Sequence, residues 1–127
     1  MDLKIHHVGY VVSDIDKFAA NFPCGEIINR AFDPLQDADL AVYELSNAMI
    51  EFIEPKSCHS FTHEFLKNNG QGIHHICYET TSLQHVDSLI LENKMIKVRG
   101  PMKAILFNKE VVFAMTRQKA LIEFILL

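Results

Sequence analysis

Apolar positions along this chain follow two different periods. Short runs of alternating or clustered apolar residues predict strands near 26–32, 39–45, 48–54, 95–99, 110–115 and 120–126. Two stretches keep helical spacing instead. Ile15, Phe18, Ala19 and Phe22 form an i, i+3, i+4, i+7 stripe behind Ser13, whose SDID reads as a capping box, with Pro23 and Gly25 closing the helix. Leu83, Val86, Leu89 and Ile90 form a second stripe behind Thr81, ending near Asn93. A short helix candidate, Phe61 to Lys67, runs into NNGQG, which reads as a hinge. SNA at 46–48 and RQK at 117–119 read as tight connections between neighbouring strands.

These elements repeat. IHHVGY at 5–10 returns as IHHICY at 73–78, and IEFI at 50–53 returns at 122–125, in the same order. His7 and Glu51 are 44 residues apart; His75 and Glu123 are 48 apart. Each half reads β-α-β-β-β, so the expected class is α+β, with two βαβββ modules. Module one covers about 1–55, a linker 56–72, and module two about 73–127. A half of about 60 residues buries only a marginal core, so residues 1–127 are expected to form a single domain.

The repeated strands carry chemistry. Neighbouring strand residues face opposite ways, so His7 shares a face with Ile5, Gly9 and Val11, and His75 with Ile73 and Cys77. His6 and His74 then lie on the other face with Tyr10 and Tyr78, which are expected to pack under the helices. Glu51 and Glu123 each interrupt an apolar run, MIEFI and LIEFI. Such a carboxylate faces solvent or is buried with a partner. One alone would be read as a surface residue, but two His and two Glu recur at matched places. If the modules pack about a pseudo-two-fold axis, all four converge. Two imidazoles and two carboxylates suit Zn, Co, Ni, Mn or Fe(II), and exchangeable positions remain only if the ion is five- or six-coordinate.

Charge removes some alternatives. The net charge is −4 and no Lys/Arg run exists, so neither nucleic acid nor an anionic membrane surface is expected as a partner. No apolar run approaches the roughly 20 residues of a membrane span. Cys24, Cys58 and Cys77 are scattered, as for free thiols in a reducing compartment, and MDLKIHHVGY lacks a signal-peptide pattern; both point to the cytoplasm. Cys77 reads as a small core or pocket residue. His59, His63 and His85 read as surface residues.

HHVGY, IEFIEP, GIHHICYE and the closing LIEF resemble the vicinal oxygen chelate superfamily, which includes glyoxalase I and bleomycin-resistance proteins. The stretch FTHEFLKNNGQGIHHICY looks like the family's linking helix followed by its second metal strand. Within the family the chain looks most like methylmalonyl-CoA epimerase. The resemblance implies a glyoxalase-like domain holding one divalent ion (Zn, Co, Ni or Mn) at His7, Glu51, His75 and Glu123. It implies isomerase chemistry through a metal-bound enolate, with Glu123 as base, Glu51 as second acid/base and Glu44 in reserve. The apolar flanks Ile122 and Phe124 are expected to shield Glu123 from water. Implied partners are a small substrate, an acyl-CoA or a glutathione adduct, and a second copy in a homodimer. The alternatives are a glyoxalase I-like lactoylglutathione lyase and a non-enzymatic drug-binding resistance protein. Glu51 is the glyoxalase ligand type, since the epimerase often has Gln there. Two departures stand out. Leu40 occupies the place where some family epimerases carry a catalytic Glu, with Asp39 and Glu44 close by, and MTRQKA at 115–120 replaces a His-Pro-Lys stretch. The basic residues Arg30, Lys56, Lys67, Arg99, Lys103 and Arg117 are available for CoA phosphates but are not clustered.

Overall fold

In the computed structural model, which describes residues 2–127, the elements follow as β1 (Ile5–Val11), α1 (Ile15–Ala20), β2 (Glu26–Asp33), β3 (Ala38–Glu44), β4 (Met49–Pro55), α2 (His63–Asn69), β5 (Gly72–Thr80), α3 (Leu83–Glu92), β6 (Ile96–Ala104), β7 (Lys109–Met115) and β8 (Leu121–Leu126). The β-α-β-β-β order occurs twice, with α2 between, in a mixed α+β fold. The chain separates into two compact units: His7–His74, and His75–Leu127 with the first residues up to His6. The divisions therefore fall inside β1 and β5, and residues 56–72 belong to the first of these units.

Within His7–His74 the strand order is β2-β3-β4-β1. β2, β3 and β4 are antiparallel neighbours, and β1 runs parallel to β4. The pleat sorts the side chains. One face presents Tyr10, Ala41, Tyr43, Ile50 and Phe52 to Ile15, Phe18 and Ala19 of α1 and to Phe22 just beyond it. Phe52 is the hub, with Tyr10, Phe18, Phe22 and Tyr43 ring centroids 5.2–6.1 Å away. The other face carries His7, Gly9, Val11, Leu40, Val42, Glu51 and Ile53. The cap of α1 differs from expectation: Asp14 accepts from the Lys17 N–H at 3.0 Å. Ser13 instead donates its N–H and hydroxyl to Gln71 Oε1, while Glu54 Oε1 accepts from the Ile15 N–H. The helix stops at Ala20, before Pro23. α2 starts two residues later than the predicted Phe61 and ends on Gly70, at φ 74°.

Within the second unit the order is β5-β8-β7-β6, with β5 parallel to β8 and the rest antiparallel. Tyr78, Val112, Ala114, Ile122, Phe124 and Leu126 face Val86, Leu89 and Ile90 of α3. Leu83 belongs to the predicted stripe but is 40% exposed and lies outside the cluster under α3. The cap here is Ser82, accepting from the His85 N–H at 3.0 Å, rather than Thr81. The opposite face carries His75, Cys77, Val111, Phe113, Glu123 and Ile125. β6 is longer than the predicted 95–99, and residues 105–108 turn from it into β7. Among the described residues, no helix is long and apolar enough to cross a membrane.

Candidate metal centre

Each unit builds one buried His–Glu pair by the same construction. β1 and β4 are parallel, and their register sets Gly9 beside Glu51. His7 stands two residues before Gly9, on the same face, and its Nε2 reaches Glu51 Oε1 at 3.5 Å. β5 and β8 are also parallel, and Cys77 stands beside Glu123. His75 stands two residues before Cys77, and its Nε2 reaches Glu123 Oε1 at 3.0 Å. All four residues are buried. The structure thus brings together His7 with Glu51 and His75 with Glu123.

Their chemistry fits a divalent cation. A neutral imidazole nitrogen and a carboxylate oxygen are both zinc-type donors. Two donors at about 2.1 Å from one ion lie about 3.0 Å apart at a right angle and about 3.4 Å apart at the tetrahedral angle. The observed 3.0 and 3.5 Å match those separations. A buried carboxylate is costly unless something compensates its charge, and a cation would do so in both pairs.

Strand parity places the neighbouring residues. His74 stands edge-on to Phe65 of α2, ring centroids 5.1 Å apart, and His6 edge-on to Phe107 at 4.7 Å. Tyr10 and Tyr78 pack under α1 and α3, as expected. Cys77 is fully buried beside Val111 and Ile125. Ile122 and Phe124 were expected to shield Glu123, but they point to the α3 face. Side chains alternate along a strand, so chain neighbours of a residue cannot wall its own face. The wall on the Glu123 face is Cys77, Val111, Ile125 and Phe113.

Phe113 was not singled out in the sequence. It is the cross-strand partner of Glu123, and its ring stands perpendicular to that of His75, centroids 5.7 Å apart. The alternation VVFAM on β7 was the available signal, once β8 was known to be its neighbour. On β3, Leu40 is buried on the Glu51 face, so the departure there leaves hydrocarbon. Glu44 shares that face but is exposed. Asp39 faces the other way, 3.4 Å from Lys56 Nζ. The Lys56 ammonium is held above its ordinary range, first by its hydrogen bond to Glu54 and then by Asp39.

The family model for the Glyoxalase/Bleomycin resistance protein/Dioxygenase superfamily matches residues 6–104. Human mitochondrial methylmalonyl-CoA epimerase is 29% identical over 102 residues, covering 76% of this chain and 56% of that protein. The chain spans about half the length of the curated relatives it matches, 56% of each. A hypothetical protein from Bacillus halodurans C-125 superposes with TM-score 0.87 at 23% identity, over 100% of this chain and 96% of that one. A Streptomyces coelicolor methylmalonyl-CoA epimerase variant in complex with 2-nitronate-propionyl-CoA superposes with TM-score 0.80 at 18% identity, over 97% of this chain and 96% of that one.

Proposed function

We propose that this chain, which belongs to the Glyoxalase/Bleomycin resistance protein/Dioxygenase superfamily, is a metal-dependent isomerase resembling methylmalonyl-CoA epimerase. In this reading His7, Glu51, His75 and Glu123 hold one divalent ion, and the protein moves a proton at the carbon beside a thioester carbonyl. The observation that carries it is the repeated register. Twice, a parallel strand pair sets a buried Glu beside the residue two beyond a buried His. A single such pair would pass as a structural ion pair. The same offset in both units makes the pair a repeated feature, and that repetition supports the reading. The human epimerase supports the substrate class by its 29% identity.

When bound, a divalent ion supplies positive charge against the oxygen that becomes negative as the proton leaves. The protein supplies the rest. Glu123 takes the proton from the carbon. Its carboxylate is nearly dry, and Phe113 and Ile125 keep water from competing on its face. His75 Nε2, at 3.0 Å, orients that carboxylate. Phe113, against the His75 ring, holds the imidazole plane. Epimerisation also needs a proton returned on the other side. Glu51 is the matched candidate for that role, with Glu44 in reserve.

Leu40 favours a second reading. A hydrocarbon on the Glu51 face leaves that wall with fewer proton carriers, which suits a one-base, glyoxalase-type isomerisation of a glutathione thiohemiacetal. The experiment is deuterium entry at C2 of methylmalonyl-CoA in D2O, followed by NMR, with protein loaded in turn with Co, Mn, Ni or Zn. Exchange that requires both the metal and Glu123 supports the first reading. A metal-binding protein that catalyses no exchange with any ion, but forms lactoylglutathione from methylglyoxal and glutathione, replaces it with the second.

A further inference from the structure

The face that holds His75 and Glu123 includes a strand with no part in the metal reading. β6 pairs with β7 through two register irregularities, one between Lys97 and Arg99 and one between Arg99 and Met102. Arg99 is the paired residue between them. Its partner is Phe113, the partner of Phe113 is Glu123, and the partner of Glu123 is Cys77. Cross-strand partners share a face, so Arg99, Phe113, Glu123 and Cys77 form one row on the His75 face. Packing agrees: Met102 and Ala104, further along β6, sit against Cys77, Val111 and Ile125.

The backbone around Arg99 is specialised for this placement. Bulges re-aim side chains and are enriched beside active sites. The next residue, Gly100, has φ 100°, and a Cβ there would lie 2.6 Å from the Val111 carbonyl oxygen. Only glycine lets β6 press onto β7 at that point. Adjacent strands are about 4.8 Å apart, so the Cα atoms of Arg99 and Glu123 are about 10 Å apart across Phe113. The row reads cation, aromatic ring, carboxylate. Lys109 shares the face by register with Ala104 but lies at the turn end of β7, away from this row.

We propose that Arg99 is the anion anchor of this site, holding a carboxylate or phosphate of the substrate while its reacting carbon lies at Glu123. This rests on the reading of Glu123 as the proton-moving group. A guanidinium suits either anion because its planar fork donates two parallel hydrogen bonds. The ligand class is an anionic thioester or thioether adduct, not a neutral one.

The test compares wild type, Arg99→Gln and Arg99→Lys in two assays. The first is binding of methylmalonate and of inorganic phosphate to metal-loaded protein by calorimetry. The second is KM for deuterium exchange into methylmalonyl-CoA and into methylmalonyl-pantetheine, which lacks the nucleotide phosphates. Arg99→Gln weakens anion binding and raises KM about tenfold or more, with kcat changed far less, and Arg99→Lys falls between. A rise for both thioesters assigns the acyl carboxylate to Arg99; a rise for the CoA ester alone assigns a CoA phosphate. Arg99→Gln that binds both anions and turns over both thioesters within twofold of wild type overturns the anchor. No exchange in wild type, with methylmalonate binding still dependent on Arg99, overturns the epimerase reading and leaves the anchor standing.

Discussion

Glu123→Gln keeps the side chain's size and removes its charge, so it tests the metal reading without opening a cavity. In the wild-type protein His75 Nε2 and Glu123 Oε1 are 3.0 Å apart and buried. A cation bound there has two of its four proposed donors in this pair. A ligand that binds only the folded state at 100 times its Kd stabilises by about 2.7 kcal/mol. For a chain of this size, about 4 °C per kcal/mol applies, so saturating metal raises Tm by about 10 °C. Replacing the anionic donor with an amide is expected to weaken affinity about 100-fold or more. The same metal concentration then stands near Kd, worth about 0.4 kcal/mol, and the rise falls below about 2 °C. Differential scanning fluorimetry with Zn, Co, Ni or Mn reads this directly. His6→Ala and His74→Ala lose ring contacts with Phe107 and Phe65 but are expected to keep the full metal-induced rise. If Glu123→Gln keeps that rise, or if the His6 and His74 variants lose it, the assignment of faces and ligands is wrong.

Phe52→Ala removes the hub of the α1-side core, where four rings meet it. The expected cost is about 3–5 kcal/mol, read from the urea midpoint; a loss under about 1 kcal/mol would show that this core is not closely packed. Gly25→Ala puts a Cβ 2.1 Å from the Glu44 carbonyl oxygen at φ 74°. It should destabilise by about 1–3 kcal/mol or more, and an unchanged midpoint would refute the close approach of Gly25 to β3. Asp16 is held below its ordinary 3.8 by the Arg30 hydrogen bond and charge, with Nη1 and Oδ1 2.6 Å apart. That pair's contribution is present above pH 3.8 and lost as pH falls through the depressed value. Asp16→Asn should therefore lose less stability between pH 5 and pH 2 than wild type, by a small amount because the pair is exposed. An identical acid profile would contradict it.

Much of this fold is written in local pattern. The IHHVGY/IHHICY and IEFI repeats set two β-α-β-β-β runs, and strand parity placed Tyr10 and Tyr78 under the helices. Burial of Glu51 and Glu123 is signalled by their recurrence at matched places rather than by their apolar flanks, which face α1 and α3. What local pattern misses depends on distant partners. Ser13 and Asp14 both suit an N-cap, and Gln71, 58 residues away, engages Ser13 and leaves Asp14 to cap. Thr81 and Ser82 present the same ambiguity. Phe113 becomes visible beside Glu123 only once β7 and β8 are paired. β6 breaks its own periodicity through two bulges around Arg99, so its length and the facing of Arg99 are not readable from alternation.

The account stands or falls on one ion being shared by both His–Glu pairs. Native mass spectrometry of cobalt-loaded protein counts this directly, for wild type and for Glu51→Gln and Glu123→Gln. The prediction is one cobalt per chain in wild type, and loss of that ion in either single variant. Two cobalt ions per chain, with each variant losing only one, would show that each pair binds alone and would contradict the shared site.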